Sequence, residues 1–494
     1  MRAKDFAGVL LLAAMLMNVS LASAQDNKMK DKAQSADKPV AEVQKNVQPV
    51  EKVLTKSSEV EVDPVKKFFE DATAWVPEKP QWKYLKWGFE ERIRQEYWKN
   101  WVTLSKQTSD NWNYFRFRTQ LWFQTDPAEW LSVYLRLTSE CRAFMTGGPA
   151  VSEDMDEIFF DNLYFDLKRP LDLPISVRFG RQDMFYGKGF IIMDGTPSDG
   201  SRSHYVDAVK ATLHIDDLKT NIDALVIETN RTDRKFFRFN PTRTRTLVEN
   251  EIQSYGYYIT SKYFENMTLE QYYLYTDIHG QREQTNRRTE YKKLNTFGGR
   301  FAGTFWKNFQ LDTELAYQFG QVGRNDDEPV SAMGTYVIGT YNFPVEYKPA
   351  LAVNYYYLSG DDPKTRTRED WDPLFSRWPL WGDLLIFPFI NETGIARHSN
   401  THKLGVSGAL SPLSWTRVTL SYDHLWADEN TFFGTSSLFS TGRNRGDLFM
   451  AVAKFTLTKN VSCFGQVEQF YPGSYYRSEA DPVFFLRWEL KITY

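Results

Sequence analysis

From about residue 85 to the last residue, apolar and polar side chains alternate with a period of two, in one segment after another. In NYFRFRTQLWF, 113–123, Phe115, Phe117, Leu121 and Phe123 share one face, while Tyr114, Arg116, Arg118 and Gln120 share the other. A period of two is that of an extended strand with unlike faces. Similar segments run at 86–98, 130–142, 157–168, 174–183, 204–215, 219–229, 252–263, 266–276, 295–306, 308–319, 331–341, 348–358, 400–410, 414–425, 445–457, 460–470 and 483–494. With 113–123 they make eighteen, most of them of the length a tilted membrane strand needs.

The connections decide which solvent meets the apolar face. Even-numbered segments are followed by short, turn-rich links such as TDPAE, RPLDLP, DDLK, ENM, KN and SPL. Odd-numbered segments are followed by long stretches: 99–111, 143–156, 184–203, 230–251, 277–294, 320–330, 359–399, 426–444 and 471–482. That alternation predicts an all-β antiparallel transmembrane barrel of about eighteen strands, with short periplasmic turns and long extracellular loops. A propeller should repeat at 40–50 residues with blade motifs, and no such repeat is present. Composition agrees. Aromatic residues reach 16%, while the mean hydropathy of −0.51 leaves no room for a helical bundle. Excess aromatics suit the interfacial girdles of a barrel.

The first 24 residues, MRAKDFAGVLLLAAMLMNVSLASA, have two early bases, an apolar run and a small-residue end, the pattern of a cleaved secretory signal. Residues 25–80 are polar and charged without alternation and read as a periplasmic flexible extension, a place for a periplasmic partner. Within it DPVKKFFEDATAWV, 63–76, predicts one short amphipathic helix with Asp63 as N-cap and Pro64 in the first turn. The barrel proper is 81–494. The expected location is the bacterial outer membrane, in contact with its lipid and lipopolysaccharide. A net charge of −3 gives no sign of a nucleic-acid role. Cys141 and Cys463 fall on strands three and seventeen, about 19 Å apart across the seam and too far to bridge.

Several stretches carry a family likeness. FGRQDMFYGKGF (179–190), LEQYYLYTD (269–277), ELAYQFG (314–320), NYYYLSGDD (354–362) with WDPLF (371–375), and EQFYPGSYY (468–476) resemble, in order, segments of the alginate-export outer-membrane proteins. The resemblance implies a monomeric eighteen-stranded barrel that passes an anionic polysaccharide. A terminal aromatic, Tyr494, on the last strand resembles the signal read by barrel-assembly machinery.

By parity, the face opposite the apolar one carries Arg92, Arg94, Arg116, Arg118, Arg136, Arg142, Arg178, Lys210, Arg300, Arg417, Lys454, Arg487 and Lys491, with Glu90, Glu96, Glu140 and Glu489. These bases are the candidate pore-lining residues, and rings of Arg or Lys are the usual device of anion pores. Arg–Glu ladders also brace barrel interiors, so each arginine is either a brace or part of the path. Arg181 has outward parity unless Gly180 introduces a bulge. The expected function is a channel for an anionic polysaccharide or oligosaccharide through an Arg-lined lumen, or alternatively a porin for small acidic or neutral nutrients. An outer-membrane enzyme or adhesin is the third possibility.

The basic loops 231–245 and 279–293 suit an acidic polymer or lipopolysaccharide phosphates. The longest loop, 359–399, is long enough to form a lid or plug, and its Asp361, Asp362 and Asp372 read as solvated acids. No catalytic group, metal site or cofactor is expected. His398 and His402 lie about 13 Å apart if both are on a strand, and SRSH (201–204) implies no partner acid.

Overall fold

The computed structural model describes residues 64–73, 82, 84–108, 110–148, 158–193, 206–230, 235–236, 250–280, 291–323, 328–376, 381–386, 392, 394 and 397–494. The expected signal, most of the extension, SRSH and most of the loops 231–245 and 279–293 lie outside them. The short helix is present as α1 (Pro64–Thr73), with a Lys66–Glu70 pair one turn apart at 3.7 Å. Its expected cap, Asp63, lies outside the described residues.

The strands in chain order are β1 (Lys86–Lys99), β2 (Trp112–Ala128), β3 (Leu131–Thr146), β4 (Phe159–Lys168), β5 (Ile175–Gln182), β6 (Ile192–Met193) and β7 (Val206–Ile215). There follow β8 (Thr220–Thr229), β9 (Asn250–Ser261), β10 (Met267–Gly280), β11 (Tyr291–Phe305), β12 (Phe309–Val322), β13 (Glu328–Asn342) and β14 (Ala350–Leu358). The chain ends with β15 (Phe375–Ser376), β16 (Thr401–Leu410), β17 (Thr416–Trp426), β18 (Asn444–Thr456), β19 (Val461–Pro472) and β20 (Val483–Thr493). Every strand except β6 and β15 belongs to one eighteen-stranded antiparallel sheet. Each of the eighteen predicted segments falls on one of them. The sheet closes where β20 meets β1, in a register that sets Lys491 opposite Arg92, Glu489 opposite Arg94 and Arg487 opposite Glu96. Closure leaves no unpaired edge, which hydrocarbon could not tolerate.

Boundaries differ from expectation where ladder hydrogen bonds continue past the periodic core. TDPAE reads as a turn, yet β2 runs on through Pro127 to Ala128, because the register with β3 shifts between Thr125 and Ala128 and a missing N–H is tolerated there. The link between β11 and β12 is a tight hairpin whose Trp306 and Lys307 both take positive φ, 47° and 66°, as a primed turn requires. Two further turns are tied together on the periplasmic side, where Arg169 forks onto Asp216 at 2.7 and 2.9 Å. That guanidinium holds the Asp216 carboxyl below its usual range.

Parity sorts the side chains as membrane and lumen demand. On β12, Leu315, Tyr317 and Phe319 are exposed on the outer face, while Glu314, Ala316 and Gln318 are buried inside. Arg181 keeps its outward parity. Gly180 takes φ +121°, but the β4–β5 register runs through it without a shift. The Arg181 guanidinium lies against Asp207 at 2.9 Å and over the Phe236 ring at 4.3 Å.

Glu91 also faces out, hydrogen-bonded by the Thr119 hydroxyl at 2.6 Å, with Ile93 and Phe89 as its neighbours along the outer face. It stands four residues, about 13 Å along the strand, from Trp87, which meets Tyr494 in the periplasmic girdle at 5.3 Å. A carboxylate in the apolar band opposes folding, so Glu91→Leu is expected to stabilise the barrel by about 1 kcal/mol. Urea unfolding in lipid vesicles checks this, and a lowered midpoint would contradict it.

Two of the barrel's own loops supply much of the apolar core. The β5–β7 connection brings Phe190, Ile191, Ile192 and Met193 inside, and the β14–β16 connection brings Trp371, Leu374, Phe375, Trp381, Leu384 and Leu385. They meet in a parallel bridge, Phe375 beside Ile192 and Ser376 beside Met193. Phe190 stacks on Trp371 at 5.4 Å and meets Tyr336 edge-on at the same distance. Trp371 fits because position 334 is glycine, where a Cβ would stand 2.8 Å from the indole. Large apolar groups in an extracellular loop have two places to escape water, and here the lumen supplies it.

Candidate functional site: a charged lumen narrowed by two loops

The lumen has a basic wall built by β20, β1, β2 and β3. One cross-strand row reads Lys491, Arg92, Arg118, Glu140, and the next reads Glu489, Arg94, Arg116, Arg142. Like charges therefore stand directly opposite one another four times, Lys491 with Arg92, Arg92 with Arg118, Arg94 with Arg116 and Arg116 with Arg142, an arrangement that opposes folding. Carboxylates from the same and adjoining rows compensate. Arg94 reaches Glu489 at 2.8 Å, Arg116 reaches Glu96 at 2.9 Å, and Arg118 reaches Glu90 at 2.7 Å. Arg92 lies 3.6 Å from Glu140, and Arg487 lies 3.2 Å from Glu96. Arg142 sits over the Tyr114 ring at 5.6 Å, and Lys491 is 3.9 Å from Glu90. These four strands turn Arg92, Arg94, Arg116, Arg118, Arg142, Arg487 and Lys491 inward, against Glu90, Glu96, Glu140 and Glu489.

The remaining candidates are dispersed. Arg136 is held by Asp161 at 2.7 Å and by Asp183 at 3.0 Å. Arg178 forks onto Asp166 at 2.6 and 2.8 Å and covers the Tyr164 ring, with Lys210 opposite it on β7. Arg417 donates to the Lys348 carbonyl at 2.7 Å at a periplasmic turn, and the exposed Lys454 is its cross-strand neighbour. Arg300 is on β11, halfway round the ring from β1, and bridges Glu270 at 2.8 Å and Asp312 at 2.6 Å.

Around Arg300 stands an acidic wall that the sequence reading passed over. Glu270, Asp312 and Glu314 face inward from β10 and β12, and the hydroxyls of Tyr258, Tyr272 and Tyr336 donate to them at 2.9–3.1 Å. Lys188 of the β5–β7 loop comes within 3.9 Å of Asp312. The signal was available in the same parity, since Glu314 lies between the outward Thr313 and Leu315. What strand parity does not carry is that these acids collect across the lumen from the arginines.

The long loop is anchored by its acids. Asp372 reads as solvated from sequence, yet it is 2% exposed, and Lys292 and Arg397 donate to it at 3.1 and 3.0 Å. Asp383 pairs with Arg487 and accepts from Gln466 at 2.9 Å, and Glu392 takes both arms of Arg445 at 2.7 Å. Asp361 and Asp362 instead cap backbone N–H groups of their own loop at 3.0 Å. His398 lies in the loop rather than on a strand, edge-on to Trp381, while His402 on β16 lies 3.1 Å from Asp428. Cys141 and Cys463 are thiols and not halves of a disulfide.

Space remains toward the periplasm. A cavity of about 430 Å³ is lined by Glu90, Arg118, Gln120, Trp122, Tyr134 and Arg136. A second, of about 260 Å³, lies under Lys188 and Asp312 on the acidic side. Arg118 and Arg136 thus line a periplasmic vestibule, while Asp383 and its loop cover Arg487.

Comparison with known proteins agrees with this architecture. A family model described as alginate export matches residues 83–481. Among solved structures, OccAB1 of Acinetobacter baumannii superposes with a TM-score of 0.54 at 11% identity, covering 83% of this chain and 96% of that one. OccAB4 of the same organism gives 0.53 at 7% identity, covering 84% and 99%. OccK2 (OpdF) of Pseudomonas aeruginosa gives 0.53 at 8%, covering 83% and 97%. At such identities the likeness is one of fold. A search of curated proteins finds no match. With an eighteen-stranded closed barrel and a family match over most of its length, the chain belongs to the alginate export family and is an outer-membrane β-barrel channel.

Proposed function

We propose that the channel passes an acidic oligosaccharide or polysaccharide, alginate-like, whose carboxylates move along the arginine wall of β20, β1, β2 and β3. One observation carries the reading: Arg92 opposite Arg118 and Arg94 opposite Arg116. A wall selected only for bracing would alternate signs across strands, and like pairs are retained where a positive field is itself useful. Arginine suits a carboxylate cargo because its planar fork makes paired hydrogen bonds. In this reading residues 1–24 direct export, the 25–80 extension lies in the periplasm within reach of a partner, the barrel works as a monomer amid lipid and lipopolysaccharide, and the cargo leaves chemically unaltered.

The second reading, a porin for small acidic or neutral nutrients, is favoured by the narrowing. The two infolded loops leave cavities of about 430 and 260 Å³, room for a few sugar units. Planar bilayers under a KCl gradient test the first reading, and the expected reversal potential is that of an anion-preferring pore. Marked cation preference would overturn it. Liposome swelling separates the cargoes: alginate oligomers permeating faster than neutral oligomers of equal length support the first reading, and equal rates support the second.

A further inference from the structure

Along β1, β2 and β3 the inward rows are ionic at mid-height, and rings join them nearer the periplasm. Trp122 on β2, Tyr134 on β3 and Tyr164 on β4 have inward parity, and all three are half-buried, with part of their surface left open. The Trp122 and Tyr134 rings lie 6.1 Å apart at 20°, and the Tyr134 and Tyr164 rings lie 5.0 Å apart at 18°. Near-parallel rings at such spacings overlap in steps and make one strip across three strands. Glycine gives the strip room at both ends. Gly88 stands opposite Trp122, where a Cβ would come within 2.3 Å of the indole, and Gly180 stands opposite Tyr164. The Arg178 guanidinium closes the far end, 4.1 Å from the centre of the Tyr164 ring.

Trp122 and Tyr134 line the vestibule of about 430 Å³ together with Glu90, Arg118, Gln120 and Arg136. That volume falls within the range of about 300–1,000 Å³ usual for small-molecule sites. Rings and planar polar groups around one space are complementary to a pyranose. Its C–H face is apolar and is drawn to an aromatic surface, while its hydroxyls point outward from the rim, where amide, carboxylate and guanidinium groups meet them. Bracing by ion pairs accounts for the charged rows but asks for no rings among them. A small acid without a ring would gain nothing from such a strip.

We propose that Trp122, Tyr134 and Tyr164 form a stacking strip for the pyranose rings of the cargo at the periplasmic mouth, so that the channel recognises the sugar ring itself and not its charge alone. This rests on the reading of the cargo as a saccharide, and it is independent of the saccharide's charge. Arg118 stands four residues, about 13 Å, along β2 from Trp122, so a sugar on the strip is received before the arginine rows. A strip of overlapping rings has no single seat, and a sugar shifts from one ring to the next without leaving the wall. Conduction asks for that, since binding must be favourable enough to enter and weak enough, over several sites, to leave.

The test uses the full-length channel in planar bilayers, with three blockers of the ion current added from the periplasmic side. They are an alginate tetramer, neutral maltotetraose, and citrate, which has charge and no ring. Trp122→Leu keeps an apolar side chain and removes the ring, and Trp122→Phe keeps a ring. Tyr164→Leu reads the far end of the strip, and carries the test should Trp122→Leu fail to insert. Each leucine variant is expected to need about fivefold more of either saccharide for half-block, the worth of one aromatic contact. Citrate should block every variant as it blocks wild type, and Trp122→Phe should stay near wild type. A citrate shift as large as the saccharide shift would overturn the strip, because the substitution would then have damaged the wall in general. Failure of the strip and failure of the cargo reading look different. A wild-type channel blocked by both saccharides, with that block unmoved in the leucine variants, loses the strip alone, whereas one that citrate blocks and neither saccharide does loses the saccharide cargo as well.

Discussion

Trp371→Ala channels are expected to show a second, larger conductance level that dominates the recordings. Trp371 is the joint of the infolded loops, 2% exposed, stacked on Phe190 and seated over Gly334. Truncating a packed tryptophan costs about 3–5 kcal/mol. The loss falls on docking of the loops and not on the barrel, whose strands are held by their own ladders. A shift of that size changes a docked-to-undocked ratio by more than about a hundredfold. Single-channel amplitude histograms in planar bilayers check it. A variant with the wild-type conductance level and unchanged heat-modifiable migration would show that the loops do not limit the path.

The second large effect is on selectivity. Removing both Arg116 and Arg118 as alanines is expected to lower the anion-to-cation permeability ratio by about tenfold, since a charge within 4 Å of the path is worth more than 1 kcal/mol once water is partly excluded. The carboxylates they leave behind act in the same direction. Glu90 loses its 2.7 Å partner, and of its cationic partners Glu96 keeps Arg94 and Arg487. Reversal potentials under a KCl gradient measure the ratio. If it is unchanged, the guanidiniums are braces and the path runs elsewhere, past the acidic wall around Glu270, Asp312 and Glu314.

Much of this could be read along the chain. The eighteen strands, the alternation of turns and loops, and the face to which each arginine points are local properties, because a strand's parity is set by its own residues and the membrane demands that one parity be apolar. Arg181 is an instance: strict alternation put it outward, and a smooth register through Gly180 keeps it there. The long loop 359–399 could be recognised as a candidate plug by its length and aromatic content. The helix at 64–73 followed from its proline and its spacing.

Other features needed the closed ring. Which arginines gather was not legible, since Arg92 meets Lys491 and Arg94 meets Glu489 only because the last strand returns to the first. The acids that neutralise them come from strands and loops up to hundreds of positions away, as Glu489 does for Arg94 and Asp383 does for Arg487. The inward turn of the 183–193 segment gave no signal of its own, because Phe190, Ile191 and Ile192 fit a buried strand as well as a plug.

The sequence by itself determined the barrel: its strand number, its sidedness and which residues form its inner face, all consequences of period, turn chemistry and the cost of bare backbone in lipid. Only the tertiary structure decided how that face is used. It gathered seven bases into one wall, set three carboxylates opposite, and folded two loops between them, because contacts across a lumen join residues that share neither a strand nor a turn and are fixed only when the sheet closes.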